Sequence, residues 1–124
     1  MKQPYHISNS EWLVLQCLWD ESPLEIKDIH NRLQKRTGWN SNMIRTLVVR
    51  LQEKGAISAE KQTRIYRYYP LANKQSCIMA EMQEFLDRIF DGSPSKMITT
   101  LIYSGCLSRD ELNNIVRRLA PANK

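Results

Sequence analysis

SNMIRTLVVRLQEKGAI, spanning Ser41 to Ile57, has two faces. Ile44, Leu47, Val48 and Leu51 recur at i, i+3, i+4 and i+7, the spacing of an apolar helix face that packs on a core. The other side carries Asn42, Arg45, Thr46 and Val49, again on one stripe. Arg and Thr are ordinary on a solvated helix. A valine among them asks for a target that is neither core nor water. Asn40 or Ser41 can cap this helix at its start, and Gly55 supplies a left-handed stop after Lys54.

Upstream, two more helices are expected. Ser8-Asn9-Ser10-Glu11 reads as a capping box, followed by Trp12, Leu15 and Trp19 on one face with Val14 and Leu18 beside them. Ser22-Pro23-Leu24-Glu25 reads as a second box with Pro at the first helical position, leading into Ile26, Ile29, His30 and Leu33 and ending before Gly38. Downstream the pattern changes. Ile57–Lys61 and Arg64–Tyr69 have strand composition, with Gln62-Thr63 as the turn and Pro70 as the end. Three helices and then a two-stranded ribbon make a winged helix-turn-helix.

In that layout the third helix presents its outer face to the DNA major groove. Arg45 can donate two hydrogen bonds to guanine, Asn42 can pair with adenine, Thr46 can touch a thymine methyl or a phosphate, and Val49 can pack on a thymine methyl. Met43 and Arg50 flank the stripe at the backbone. Lys61, Arg64 and Arg67 of the hairpin are expected along the phosphates, where they position the domain without reading sequence. The bland alternatives are a solvated helix with one stray valine and a strand edge protected by charge.

Charge supports the DNA reading. The 124-residue chain has a net charge of +5. Residues 27–67 alone carry ten Lys/Arg against Asp28, Glu53 and Glu60, a local +7 that leaves the remainder at −2. A concentrated basic segment suits a polyanionic partner. Hydrophobic content of 42% and charged content of 25% are those of a globular domain with a core of its own.

From Asn73 onward the chain reads as helical throughout. Ile78, Met82, Phe85, Leu86 and Ile89 form a stripe closed by Gly92. Ser93-Pro94 restarts a helix through Met97, Ile98, Leu101 and Ile102 up to Gly105. Ser108-Arg109-Asp110-Glu111 is a third capping box before Leu112, Ile115, Val116 and Leu119. About 50 residues cannot bury three apolar stripes alone, so the same tail of a second chain is the expected cover. The alternative is a tail folded back on its own first domain. The expected organisation is a winged-helix DNA-binding domain over 1–72 and a helical dimerisation domain over 73–124.

No catalytic constellation can be assembled, so no enzyme is expected. His6 and His30 lack ligands at metal spacing, His30 being read as a packed core histidine, and four glycines make no phosphate loop. Neither metal nor cofactor is therefore expected. Cys17, Cys77 and Cys106 are odd in number and far apart, which points to a reducing compartment. With neither a signal peptide nor a long apolar run, the chain is expected in the cytoplasm with no membrane partner.

Three blocks of residues resemble the penicillinase-repressor family of bacterial transcriptional repressors, also called the BlaI/MecI/CopY family. They are Ile7-Ser8 through Glu11-Trp12 with Leu18-Trp19-Asp20; Ile44-Arg45-Thr46-Leu47 with Arg50-Leu51 and Lys54-Gly55; and Tyr66-Arg67-Tyr68-Tyr69-Pro70. The resemblance implies a winged helix, a C-terminal dimerisation region and an inverted-repeat operator with half-sites of TACA/TGTA type. It also implies base reading by Arg45 and Thr46, with Asn42, Met43 and Arg50 at the groove. The copper-responsive arm of the family carries a C-terminal Cys-x-Cys-x4-Cys-x-Cys cluster, whereas this sequence closes on VRRLAPANK. The β-lactam arm is cut between Asn and Phe by a regulatory protease, and the nearest position here is Thr100-Leu101. Neither pattern matches, so the signal that ends repression is open. A winged-helix module that binds protein instead of specific DNA is the competing function, and steep salt dependence of binding would separate the two.

Overall fold

The computed structural model describes residues 6–120. Three helices, α1 (Asn9–Asp20), α2 (Ile26–Thr37) and α3 (Ser41–Glu53), precede a hairpin of β1 (Ile57–Gln62) and β2 (Ile65–Pro70). Three more helices follow: α4 (Lys74–Phe90), α5 (Pro94–Tyr103) and α6 (Arg109–Leu119). This is the mainly helical winged layout the sequence led us to expect. The chain divides into two compact units, Met1–Ala80 and Glu81–Lys124, and α4 contributes residues to both. Residues 1–5 and 121–124, the outer ends of the two expected domains, lie outside the described residues.

In the first unit α1 begins at the expected box. The Ser8 hydroxyl accepts the Glu11 N–H at 3.1 Å and the Glu11 carboxylate accepts the Ser8 N–H at 2.9 Å. Val14, Leu15 and Leu18 of α1, Ile29 and Leu33 of α2, and Ile44, Leu47, Val48 and Leu51 of α3 meet in one core. Each such side chain, fully buried, contributes about 1.5–3 kcal/mol of transfer free energy. Trp12 and Trp19 are only half-buried and meet edge-on at 5.3 Å.

The start of α2 differs from expectation. Leu24 is not in the helix but in an extended bridge to Tyr68, exchanging both backbone hydrogen bonds with it at 3.0 and 2.7 Å. A residue whose N–H and C=O serve a sheet cannot also open a helix. The N-cap therefore moves to Glu25, whose N–H donates to the Asp28 carboxylate at 3.0 Å. Asn40 caps α3 by accepting the Met43 N–H at 2.9 Å, and Gly55, at φ +80°, lets the chain turn into the wing.

The hairpin also departs from the expected register. Ile57 pairs with Pro70 and Gln62 with Ile65, so the two-residue loop is Thr63-Arg64, not Gln62-Thr63. The expected turn would have set Lys61 opposite Arg64 and Glu60 opposite Ile65. The observed register sets Lys61 opposite Tyr66 and Glu60 opposite Arg67. Like charges facing each other destabilise a ladder, whereas a cation on an aromatic ring and an opposite-charge pair favour it. The loop places Thr63 at φ +59°, where a β-branched side chain is strained. Thr63→Gly is expected to stabilise the chain by about 0.5–1 kcal/mol, seen as a rise of a few degrees in melting temperature. A fall would mean that the wing tip is not held in this conformation.

Past the hairpin, the Leu71 and Ala72 N–H groups both donate to the Ala56 carbonyl, and the Trp19 indole N–H donates to the Ala72 carbonyl at 2.9 Å. Asn73 then caps α4 through the Ser76 N–H, and Cys77 closes the core of the first unit.

In the second unit the Gly92 N–H reaches back to the Leu86 carbonyl at 3.0 Å, ending α4. Ser93 caps α5, and Ser108 with Glu111 forms the expected box on α6. Of the described residues from 81 onward, only Leu86 is buried. Leu101, Ile102 and Leu112 are half-buried; Met82, Phe85, Ile89, Ile98, Ile115, Val116 and Leu119 are exposed, as is Ile78 in the α4 turns of the first unit.

Candidate nucleic-acid interface

The underside of α3 is sealed: Ile44, Leu47, Val48 and Leu51 have no accessible surface. Its outer side is open. Asn42, Arg45, Thr46, Val49 and Arg50 are exposed, Val49 by 45%. Met43 is half-buried against the core, so only part of it is left for a partner. The Thr46 hydroxyl donates to the Asn42 carbonyl at 3.0 Å, which leaves its lone pairs and its methyl group for an incoming ligand. The Arg45 guanidinium forms no hydrogen bond or ion pair with the described residues. Its charge does act on Tyr68. Burial pushes the Tyr68 phenol above its usual range, Arg45 opposes that rise, and Tyr66 adds to it. Helix α3 and the inner end of the wing are thus electrostatic neighbours.

The ten cations of residues 27–67 are not one surface. Lys54 is tied down: its ammonium lies 2.5 Å from the Glu11 carboxylate and 2.5 Å from the His6 carbonyl. Arg32 pairs with Glu21, and Lys27 lies 3.8 Å from Glu25. Side chains alternate along a strand, so Lys61 and Arg67 project from opposite faces of the hairpin. Arg67 is half-buried and lines a cleft with Glu21, Glu25, Asp28 and Arg32, whereas Lys61 and Arg64 are exposed. Lys61 and Arg67, both expected along the phosphates, therefore do not share a face of the hairpin. Of the cations on α3 and the wing, Arg45, Arg50, Lys61 and Arg64 remain exposed and without an ion pair among the described residues.

Glu11 is 2% exposed and is the only buried charged residue among those described. Burial acts to raise its pKa, but the hydrogen bond from Lys54, the Ser8 N–H and the Lys54 charge outweigh it and hold the carboxyl below its ordinary range. Sequence reading noted Glu11 as a cap and Lys54 as a helix end, and missed their union across 43 residues. It also missed the contact of Lys61 with the Tyr66 ring. The signal lay in the hairpin register, since only the observed register sets that ring beside Lys61.

His30, expected in the core, is half-buried, and His6 is exposed. Burial pushes the Cys17 thiol up, away from reactive thiolate; Cys106 is exposed at the end of α5. Among the described residues no cluster of three or more His, Cys, Asp or Glu has the arrangement to hold a metal, and no helix is long and apolar enough to cross a membrane.

Comparison with known proteins agrees with this geometry. The methicillin resistance regulatory protein MecI of Staphylococcus aureus strain N315 is 27% identical over 111 residues, 90% of each chain. The penicillinase repressor of Bacillus licheniformis is 28% identical over 119 residues, 96% of this chain and 93% of that one. Among solved structures, the monomeric form of Bacillus licheniformis BlaI in complex with the blaP half-operator superposes with a TM-score of 0.54 at 29% identity, covering 61% of this chain and 93% of that one. The family model described as penicillinase repressor matches residues 7–121. This chain, with its core-seated third helix and its wing, belongs to the penicillinase repressor family, a family of transcriptional repressors and not of enzymes.

Proposed function

We propose that this chain is a cytoplasmic repressor that binds an inverted-repeat operator as a homodimer. Residues 1–72 form the DNA-binding domain and residues 73–124 the dimerisation region. Asn42, Arg45, Thr46 and Val49 read base edges. Met43, Arg50, Lys61 and Arg64 lie at the backbone, with Arg67 joining them only if it leaves its acidic cleft. The exposed apolar residues of α4, α5 and α6 form the contact with the second chain. Release from the operator follows an inducing signal, a regulatory protease or a ligand.

One observation carries the reading. Arg45, Thr46 and Val49 stand together on the open side of a helix whose other side is wholly buried. A helix seated so firmly can offer an unpaired guanidinium, a hydroxyl and a methyl surface in fixed geometry, which suits the donor, acceptor and methyl pattern of the major groove. The BlaI complex with the blaP half-operator supports DNA as the partner, since that relative binds a half-operator.

Arg45→Ala is expected to cost about 1–3 kcal/mol on the operator and to relax preference at one base pair, with little change on random duplex. Gel-shift titration on both duplexes measures it. Equal loss on both would remove Arg45 from base reading, and binding by the parent that ignores added salt would favour a protein partner over DNA.

A further inference from the structure

The hairpin divides its side chains between two faces. One face carries Ala59, Lys61, Tyr66 and Tyr68; the other carries Ser58, Glu60, Gln62, Ile65, Arg67 and Tyr69. The wing's acid is thus confined to the second face. At its inner end the first face closes the core through Tyr68, next to Arg45 of α3. Towards the tip the core ends, and the same face continues as Lys61 and Tyr66. The Lys61 ammonium sits over the Tyr66 ring, 5.3 Å from its centroid. Tyr66 is 50% exposed, and its phenol makes no hydrogen bond with the described residues.

We propose that Tyr66 is a backbone contact of the wing: its phenol donates to a phosphodiester oxygen while its ring holds the Lys61 ammonium towards the neighbouring phosphate. Lysine is a point charge on a flexible stem, and much of its entropy is lost when it engages a phosphate. A ring already under the ammonium restricts that stem before DNA arrives. The phenol adds a neutral donor, which strengthens binding without releasing a counterion. The inference deepens the DNA-binding reading and rests on it.

The test uses the full chain and a duplex of random sequence, with anisotropy titrations across a salt series. Tyr66→Phe keeps the ring and removes the hydroxyl. Its affinity is expected to fall roughly five- to tenfold with the slope of log K against log salt unchanged. Lys61→Met is expected to make that slope shallower by about 0.9. Tyr66→Ala should lose more than Tyr66→Phe, and Lys61→Met should then matter less in the Tyr66→Ala background than in the parent. That coupling is one a purely structural tyrosine would not produce, and unchanged melting temperatures would confirm that the fold is intact. A Tyr66→Phe variant that binds like the parent, or a Lys61→Met effect equal in both backgrounds, overturns the inference. If the parent itself fails to bind duplex DNA, the repressor reading falls and takes this one with it. Parental binding with indifferent Tyr66 variants sinks this inference alone.

Discussion

Val116→Glu combined with Leu119→Glu will lower affinity for an inverted-repeat operator by about 10²–10⁴-fold, while affinity for one half-site stays within about twofold. Val116 and Leu119 are 55% and 67% exposed on α6, so charging them removes nothing from the core of the chain that bears them. What they would remove is the apolar contact with a second chain. An exposed apolar surface that extends over several helices marks an interaction site more often than it marks chance. The gain from joining two half-site binders is an effective-concentration effect, not a new DNA contact. It therefore vanishes on the full operator and leaves the half-site untouched. Sedimentation should show the mass falling from dimer to monomer in step with the lost affinity. A variant that still sediments as a dimer, or a monomeric variant that keeps full operator affinity, would refute the proposed arrangement.

Lys54→Ala is expected to destabilise the chain by about 2–3 kcal/mol at neutral pH. Breaking a buried ion pair by deleting one partner leaves the other charge stranded. Here Glu11 is the stranded partner at 2% side-chain exposure, and Lys54, at 31%, is close enough to water to soften the loss. The pH dependence carries a definite sign. The folded Glu11 pKa lies below its ordinary value, so the pair's contribution is fully present above about pH 4.3 and is lost as pH falls through the lower folded value. In Lys54→Ala the burial and the Ser8 hydrogen bonds remain and the cation is gone, so the carboxyl titrates higher than in the parent. The gap between variant and parent should narrow as pH falls from about 7 towards 4, measured by urea unfolding at both values. A gap below about 0.5 kcal/mol, or one that widens in acid, would show that the pair does not clamp α3 to α1.

That clamp also bears on the proposed DNA contact. Lys54 ends α3 and Glu11 lies in the first turn of α1, so their contact pins α3 from behind. A lysine counted towards the basic segment thus serves the scaffold, and the positive surface left on α3 and the wing narrows to Arg45, Arg50, Lys61 and Arg64.

The α3 pattern showed how clearly a local signal can be read. Ile44, Leu47, Val48 and Leu51 are all fully buried, and Asn42, Arg45, Thr46 and Val49 are all open, as their spacing requires. Ser8 and Ser108 cap the helices they were expected to cap. The errors share a different character. Ser22-Pro23-Leu24-Glu25 looked like a helix start because nothing nearby reveals that Tyr68 needs a backbone partner. The Gln62-Thr63 turn is one residue off because no Asn-Gly or Asp-Gly pair marks the loop, and the cross-strand pairs that select the register are formed only once both strands are in place.

Helix phase, caps and glycine stops depend on groups a few residues apart, which meet as soon as the local backbone turns helical, so they were legible along the chain. The union of Lys54 with Glu11, the bridge of Leu24 to Tyr68, the hold of Trp19 on Ala72 and the sorting of Lys61 and Arg67 to opposite faces join residues brought together only by packing. Each depends on loop closure being offset by burial elsewhere in the core, and that balance belongs to the assembled fold.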